Sequence, residues 1–271
     1  MRLLVRAIMG PLRPRRKVLG QEFAGDIEAC GPGATRFHRG EAVFGTTGFQ
    51  FGAYAEYLVL PESHGGGVIA RKPTRMSYDE AATVPTGGLE ALLLLRRAGG
   101  LGGRRVLVNG AGGGIGIFAV QLAKYFGAEV TGIDAPGKLE LIRALGADHL
   151  IDFTRGDFAD APEKYDVVVD TVGAGTFPKG LRALRAGGCY LLANPGLSTL
   201  LRGRWPRRRR RATVIRRPNR PSPSALEFLA GLINEGRVRT VIDRRYELAQ
   251  LPLAHRYVDA GLARGRVVIL P

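Results

Sequence analysis

RRVLVNGAGGGIGIFAVQLAKYFGAEVTGID, residues 104–134, decides how this chain folds. RRVLVNG reads as a continuous apolar strand, of the kind buried on both faces of a sheet. IGIFAVQLAKYFGA has the apolar face of a helix, and EVTGID is a second strand. Between the first strand and the helix lies NGAGGGIG, residues 109–116. Asn109 closes the strand and Ile115 opens the helix. Gly110, Gly112 or Gly113, and Gly116 permit a tight turn, a close backbone approach to a pyrophosphate, and close helix packing. The second strand ends at Asp134, 18 residues after Gly116. A dinucleotide-binding unit presents there the side chain that meets the adenosine ribose. A carboxylate at that place hydrogen-bonds ribose hydroxyls and repels a 2′-phosphate, which favours NAD, whereas the nearby Lys138 and Arg143 tilt towards NADP. The choice between NADP and NAD stays open at this level.

The alternation continues downstream. KLELIRALGA is a helix, HLIDF a short strand, YDVVVDTVG a fourth strand, and FPKGLRALRAGG with CYLLANP a further helix and strand. This pattern predicts a doubly wound parallel α/β sheet of Rossmann type, covered on both faces by right-handed crossovers. Residues 1–78 read differently, with glycine and proline every few residues and β-type alternation in AYAEYLVL, so a β-rich unit is expected there. Residues 79–217 form the expected dinucleotide-binding unit with a basic connector, and 218–271 a C-terminal segment. Ser77 with Glu80 makes a capping box at one helix start, and Ser224 with Glu227 is expected to make another.

A chain of 271 residues, 45% hydrophobic and 24% charged, is long enough for one or two domains and excludes wholesale disorder. Its net charge of +16 is almost wholly arginine, with six lysines among 40 basic residues. The densest block, Arg207 to Arg211, carries the expectation of nonspecific anion binding. No apolar stretch approaches the ~20 residues of a membrane helix, and the first residues lack the apolar core of an export signal, so a cytoplasmic protein without a membrane partner is expected. Cys30 and Cys189 form at most one bridge. His38, His64, His149 and His255 are scattered without metal-ligand spacing, so no zinc is expected. No GxSxG elbow is present, which disfavours hydrolase chemistry.

VLGQEFAGDIEACGPGATRFHRGEAVFG, GAYAEYLVLPE, AATVPTGGLEAL, VLVNGAGGGIGIFAVQLAKYFGAEVTGI, LIRALGADHLIDF, YDVVVDTVG and VIDRRYELAQLPLAHRYVDAGLARGRVVI follow one another nearly end to end. In that order they resemble the medium-chain dehydrogenase/reductase superfamily, in its zinc-independent quinone oxidoreductase and enoyl reductase branch. The resemblance implies a Rossmann-type domain nested in a partial, mostly β, GroES-like catalytic domain, with the cleft between them. It implies NADP or NAD as cofactor, hydride transfer to a quinone or an α,β-unsaturated carbonyl, and a homodimer. By motif, Gly110, Gly113, Gly114 and Gly116 look like the pyrophosphate turn. Asp170 with Thr171, and Ala193 with Asn194, look like the floor beneath the nicotinamide ribose. Tyr54 is the candidate proton donor.

Three departures qualify this. Family members that prefer NADPH place a small hydroxyl residue and a basic residue just after the second strand, where this chain has Ala135 and Gly137. The family usually begins with further strands of the catalytic domain, so the chain is expected to be shortened at its N-terminus. Glu90 stands where the family has a threonine near the cofactor, and a carboxylate there is costly unless paired. The alternative to a reductase is therefore a catalytically impaired dinucleotide-binding or regulatory protein.

Overall fold

The computed structural model describes residues 17–62, 67–160, 164–173, 175–193, 213–215 and 220–271. Its centre is a parallel sheet in the order β6-β5-β4-β7-β8-β9. The strands are β4 (Arg105–Asn109), β5 (Glu129–Asp134), β6 (His149–Asp152), β7 (Tyr165–Asp170), β8 (Leu184–Leu192) and β9 (Thr213–Ile215). Runs such as Val106, Leu107, Val108 and Val167, Val168, Val169 are inaccessible to solvent, as expected of strands covered on both faces. The strand order reverses between β4 and β7, where Asn109 stands beside Asp170 in register. Ligands of open α/β sheets sit at such a switch point, outside the carboxyl ends of the strands. The doubly wound expectation is met.

Ahead of this sheet lie β1 (Glu22–Asp26), β2 (Ala42–Thr46) and β3 (Val68–Arg71), an antiparallel meander. Helices α1 (Tyr78–Ala81) and α2 (Pro85–Arg97) follow. The Ser77–Glu80 capping box forms as read from the sequence. Along α2, Leu89, Leu92, Leu94 and Leu95 are buried, each worth about 1.5–3 kcal/mol of burial. Then come α3 (Gly116–Tyr125), α4 (Leu139–Ala144), α5 (Phe177–Ala183), α6 (Pro223–Asn234) and α7 (Leu251–Asp259). The last strands, β10 (Ile242–Glu247) and β11 (Arg266–Leu270), pair in parallel. Helix α2 packs against α3 and α6, and α6 also packs on β3, so the C-terminal segment returns to the N-terminal meander.

Three local expectations are corrected. AYAEYLVL is not a strand: amides of Gly52, Ala53 and Tyr54 bond to carbonyls of Leu19 and Gly20, and then Tyr57 and Val59 turn out to solvent, leaving the alternation no buried face. Helix α6 is capped by Ser222, whose Oγ accepts from the Ala225 amide, rather than by Ser224. Proline at 223 accounts for this, because its fixed φ suits the first helical position. Finally, LRAGG is already strand, so the helix that begins at Phe177 stops at Ala183.

Candidate active site

At the switch point the turn 110–116 is shaped by its lack of side chains. The amides of Gly110 and Ala111 both donate to the Ile133 carbonyl at 3.0 Å, and Gly113 closes back on the Gly110 carbonyl at 3.0 Å. Gly110 has φ +78°, and a Cβ there would overlap the Thr171 hydroxyl. A Cβ on Gly116 would overlap the Gly110 carbonyl, so the start of α3 presses directly on the turn. Ile115 is the N-cap of α3 and supplies no capping side chain, which leaves the helix N-terminus facing the turn.

Asp134 does something the sequence did not suggest. Its Oδ2 accepts from the Gly112 amide at 2.8 Å and its Oδ1 from the Ala135 amide at 2.8 Å. The carboxylate is a strut between β5 and the glycine turn. The stem of Lys138 crosses Gly112, where a Cβ would approach its Cδ at 2.8 Å, and its Nζ lies 3.9 Å from Asp134 Oδ1.

Asp170 is more fully enclosed. Its carboxylate has no exposure and accepts from Asn109 Nδ2 (3.0 Å), the amides of Val172 and Gly173 (3.1 Å each), Thr176 Oγ1 (2.8 Å) and the Tyr190 hydroxyl (2.5 Å). Burial, with the Asp170 charge beside it, pushes the Tyr190 hydroxyl well above its ordinary pKa. A carboxylate so enclosed braces the strand ends around it. Asn109 likewise spends its amide on that brace. Thr171 donates its hydroxyl to the carbonyls of Asn109 (2.9 Å) and Gly110 (3.2 Å), tying β7 to the turn. Ala193, whose amide bonds to the Asp170 carbonyl at 3.0 Å, lies beside them. Asn194 lies outside the described residues, as do His64 and the arginine block.

The residue that sequence reasoning missed is Arg266, at the start of β11. Its guanidinium packs on the glycine turn, where a Cβ on Gly114 would lie 2.5 Å from its Nη1. It pairs with Glu22 of β1, whose other oxygen accepts from the Thr86 amide at 2.8 Å. Tyr54 belongs to the same group. Its pKa is raised by burial and by the Glu22 carboxylate, against a smaller lowering by Arg266, and its ring meets His255 edge-on at 5.8 Å. Near this chain of contacts the hydroxyl of Thr86 is buried with no hydrogen-bond partner among the described residues. Gly87 lies against the Gly114 carbonyl, and Glu90 follows one turn further along α2, half-buried, its pKa raised by burial to about 7. A hollow of about 390 Å³ beside Cys30 and Phe37, and one of about 540 Å³ beside Arg143 and Phe158, include none of the predicted binding residues except Arg143.

A glycine turn against an uncapped helix N-terminus, with a guanidinium laid across it, suits the phosphates of a dinucleotide at the switch point of a doubly wound sheet. Comparison with known proteins carries this to a family. Residues 145–269 match the family described as zinc-binding dehydrogenase, and residues 4–71 match the alcohol dehydrogenase GroES-like domain. A quinone oxidoreductase of Pseudomonas aeruginosa is 33% identical over 93% of this chain and 82% of its own length. A 2-methylene-furan-3-one reductase of Solanum lycopersicum is 33% identical over 95% of this chain, which spans 64% of that protein's length. The solved quinone oxidoreductase of Coxiella burnetii superposes with a TM-score of 0.86 at 28% identity, over 98% of this chain and 82% of that one. The chain belongs to the medium-chain dehydrogenase/reductase superfamily, in its quinone-oxidoreductase-like branch.

The residues suit a nicotinamide dinucleotide: the Thr86 hydroxyl is buried without a partner among the described residues, and the Arg266 guanidinium lies against the glycine turn. Among the described residues no three His, Cys, Asp or Glu side chains gather as metal ligands; His38 pairs with Glu41, His149 with Glu129, and His255 stacks on Tyr54.

Proposed function

We propose that this chain transfers hydride from NADPH or NADH to a quinone or an α,β-unsaturated carbonyl, without zinc. The observation that carries the reading is Arg266, set by its pair with Glu22 against Gly114 at the mouth of the glycine turn. When bound, the reduced nicotinamide supplies the hydride, and the protein's part is position and charge. The turn Gly110–Gly116 and the N-terminus of α3 hold the pyrophosphate, with Arg266 neutralising it. Thr171 and Ala193 form the ribose floor, and Asp170 and Asn109 keep that floor rigid from below. Tyr54, whose raised pKa keeps its hydroxyl protonated at neutral pH, donates a proton to the substrate oxygen as charge develops there. The names of the bacterial and plant relatives support the substrate class.

The reading includes residues 79–217 as the dinucleotide-binding unit between 1–78 and 218–271, a homodimer, and a cytoplasmic location. Among the described residues no helix is long and apolar enough to cross a membrane. Glu90, half-buried without an ion pair among the described residues, favours one second reading: a protein that binds the dinucleotide but turns over slowly.

The test is a titration of the purified protein with NADPH and with NADH, followed by nicotinamide fluorescence, then addition of 1,4-benzoquinone and a panel of enones. Binding with turnover supports the reductase; binding without turnover across the panel supports the second reading. Failure of both dinucleotides to bind folded protein refutes both.

A further inference from the structure

Helix α2 carries two polar side chains that no described residue satisfies. The Thr86 hydroxyl is buried with no hydrogen-bond partner, and the half-buried Glu90 carboxyl has neither a hydrogen bond nor an ion pair, among the described residues. Four residues apart, they share one face of the helix, and Arg97 continues that face in its last turn. The neighbouring directions are taken, since Gly87 lies against the Gly114 carbonyl and Gly88 against Leu229 of α6. The face of Thr86, Glu90 and Arg97 turns instead towards β8, on which α2 packs. Burial raises the pKa of the Cys189 thiol in that strand, and the nearby charges of Arg104 and Arg97 oppose the shift, which sets Arg97 beside the middle of β8.

The height of Glu90 follows from the geometry of the two elements. The start of α2 lies at the glycine turn, beyond the carboxyl ends of the parallel strands, so α2 and β8 run in opposite directions. From Arg97 back to Glu90 the helix rises about 10 Å, and from Cys189 on to Ala193 the strand advances about 13 Å. Glu90 therefore stands at about the level of Ala193, at the rim of the switch point, with Thr86 one turn beyond it. Tyr54 is held protonated by burial and by the Glu22 charge, with Arg266 opposing. Glu90 feels neither of those charges; burial alone raises it to about 7. The two acids therefore have separate surroundings.

On the reductase reading, on which this inference rests, hydride reaches the β-carbon of an enone and the electron pair of the double bond moves towards the carbonyl oxygen, where Tyr54 lends a proton. The saturated product then needs a proton at the α-carbon. We propose that Glu90 delivers it. Its O–H bond breaks as the C–H bond forms, the proton lent to the oxygen returns to Tyr54, and the negative charge ends on the Glu90 carboxylate, which water at its exposed edge protonates again. A quinone ends as a hydroquinone, with its new hydrogens on oxygen, and needs no proton at carbon. An acid placed for carbon makes enones, rather than quinones, the substrates to which this site is fitted.

The experiment follows reduction by NADPH and by NADH of 1,4-benzoquinone and of two enones methylated at the α-carbon, 2-methylcyclohex-2-enone and 3-methylpent-3-en-2-one, with the wild type, Glu90→Gln and Glu90→Asp. Benzoquinone turnover is the reference within each variant, so a loss of folded protein cancels from the ratio. Glu90→Gln should lower the enone-to-benzoquinone ratio of kcat by about 100-fold, and Glu90→Asp, which keeps the acid, should recover part of it. In deuterium oxide the wild type should set deuterium at the α-carbon in one configuration, whereas Glu90→Gln should give both, because solvent then supplies the proton from either side. An unchanged ratio, or a single α-carbon configuration from Glu90→Gln, overturns the proposal and leaves the reductase reading standing, as does a wild type that reduces benzoquinone and neither enone. If the folded wild type reduces none of the three, the reductase reading itself falls.

Discussion

Replacing Glu90 by glutamine should stabilise the protein above neutral pH and do progressively less as pH falls. Burial alone raises the carboxyl from 4.5 to about 7, with no neighbouring charge contributing. The folded state therefore keeps a proton that the unfolded state has released, and stability falls as pH rises from about 4.5 to about 7, then stays low. The difference of about 2.5 (7 − 4.5), at ~1.36 kcal/mol per unit, sets an upper bound of ~3.4 kcal/mol. Solvent reaches one edge of this side chain and screens it, which reduces the expected penalty to about 1–2 kcal/mol. Glutamine has no such titration, and the pH-independent cost of burying its amide shifts the whole curve without bending it. At ~2–4 °C per kcal/mol, thermal midpoints of wild type and Glu90→Gln should separate by about 2–8 °C between pH 5 and pH 8.5. Parallel midpoints across that range would refute the assignment of a buried, unpaired carboxyl at this position.

Three further outcomes follow from the site. Arg266→Ala should weaken NADPH and NADH alike, by about tenfold, with fluorescence titration as the readout. Tyr190→Phe removes one donor from the Asp170 carboxylate and should cost about 1.5–3 kcal/mol in urea unfolding without changing the slope of the transition. Gly116→Ala forces a methyl into the Gly110 carbonyl, so binding of both dinucleotides should fall sharply while far-UV circular dichroism keeps the signature of the sheet and helices.

The parallel sheet was legible because its two central strands carry apolar runs, Val106–Val108 and Val167–Val169, in a regular alternation with glycine turns and helices, and that pattern has few other solutions. The alternation at Ala53–Leu60 carried no comparable information, since period-two hydrophobicity makes a strand only where a partner and a buried face exist. The glycines at 110, 113, 114 and 116 were legible as a turn. The use of Asp134 as a strut and of Asp170 as a hidden brace was not, because both depend on which donors the fold brings near. Arg266 was invisible for a different reason: more than a hundred residues separate it from Gly114, and nothing local in GLARGRVVILP marks it.

The carboxylate of Asp170 gathers donors from β4, from β8 and from the loop after β7. It works as a keystone: the seam between the two halves of the sheet cannot widen without breaking several charge-assisted bonds at once. The depth at which a ring lies above Thr171 is thus set before any ligand arrives. On the proposed reading, variation in substrate among such proteins then has to come from the surroundings of that seam, where Tyr54 and Arg266 stand, while the seam itself keeps one height.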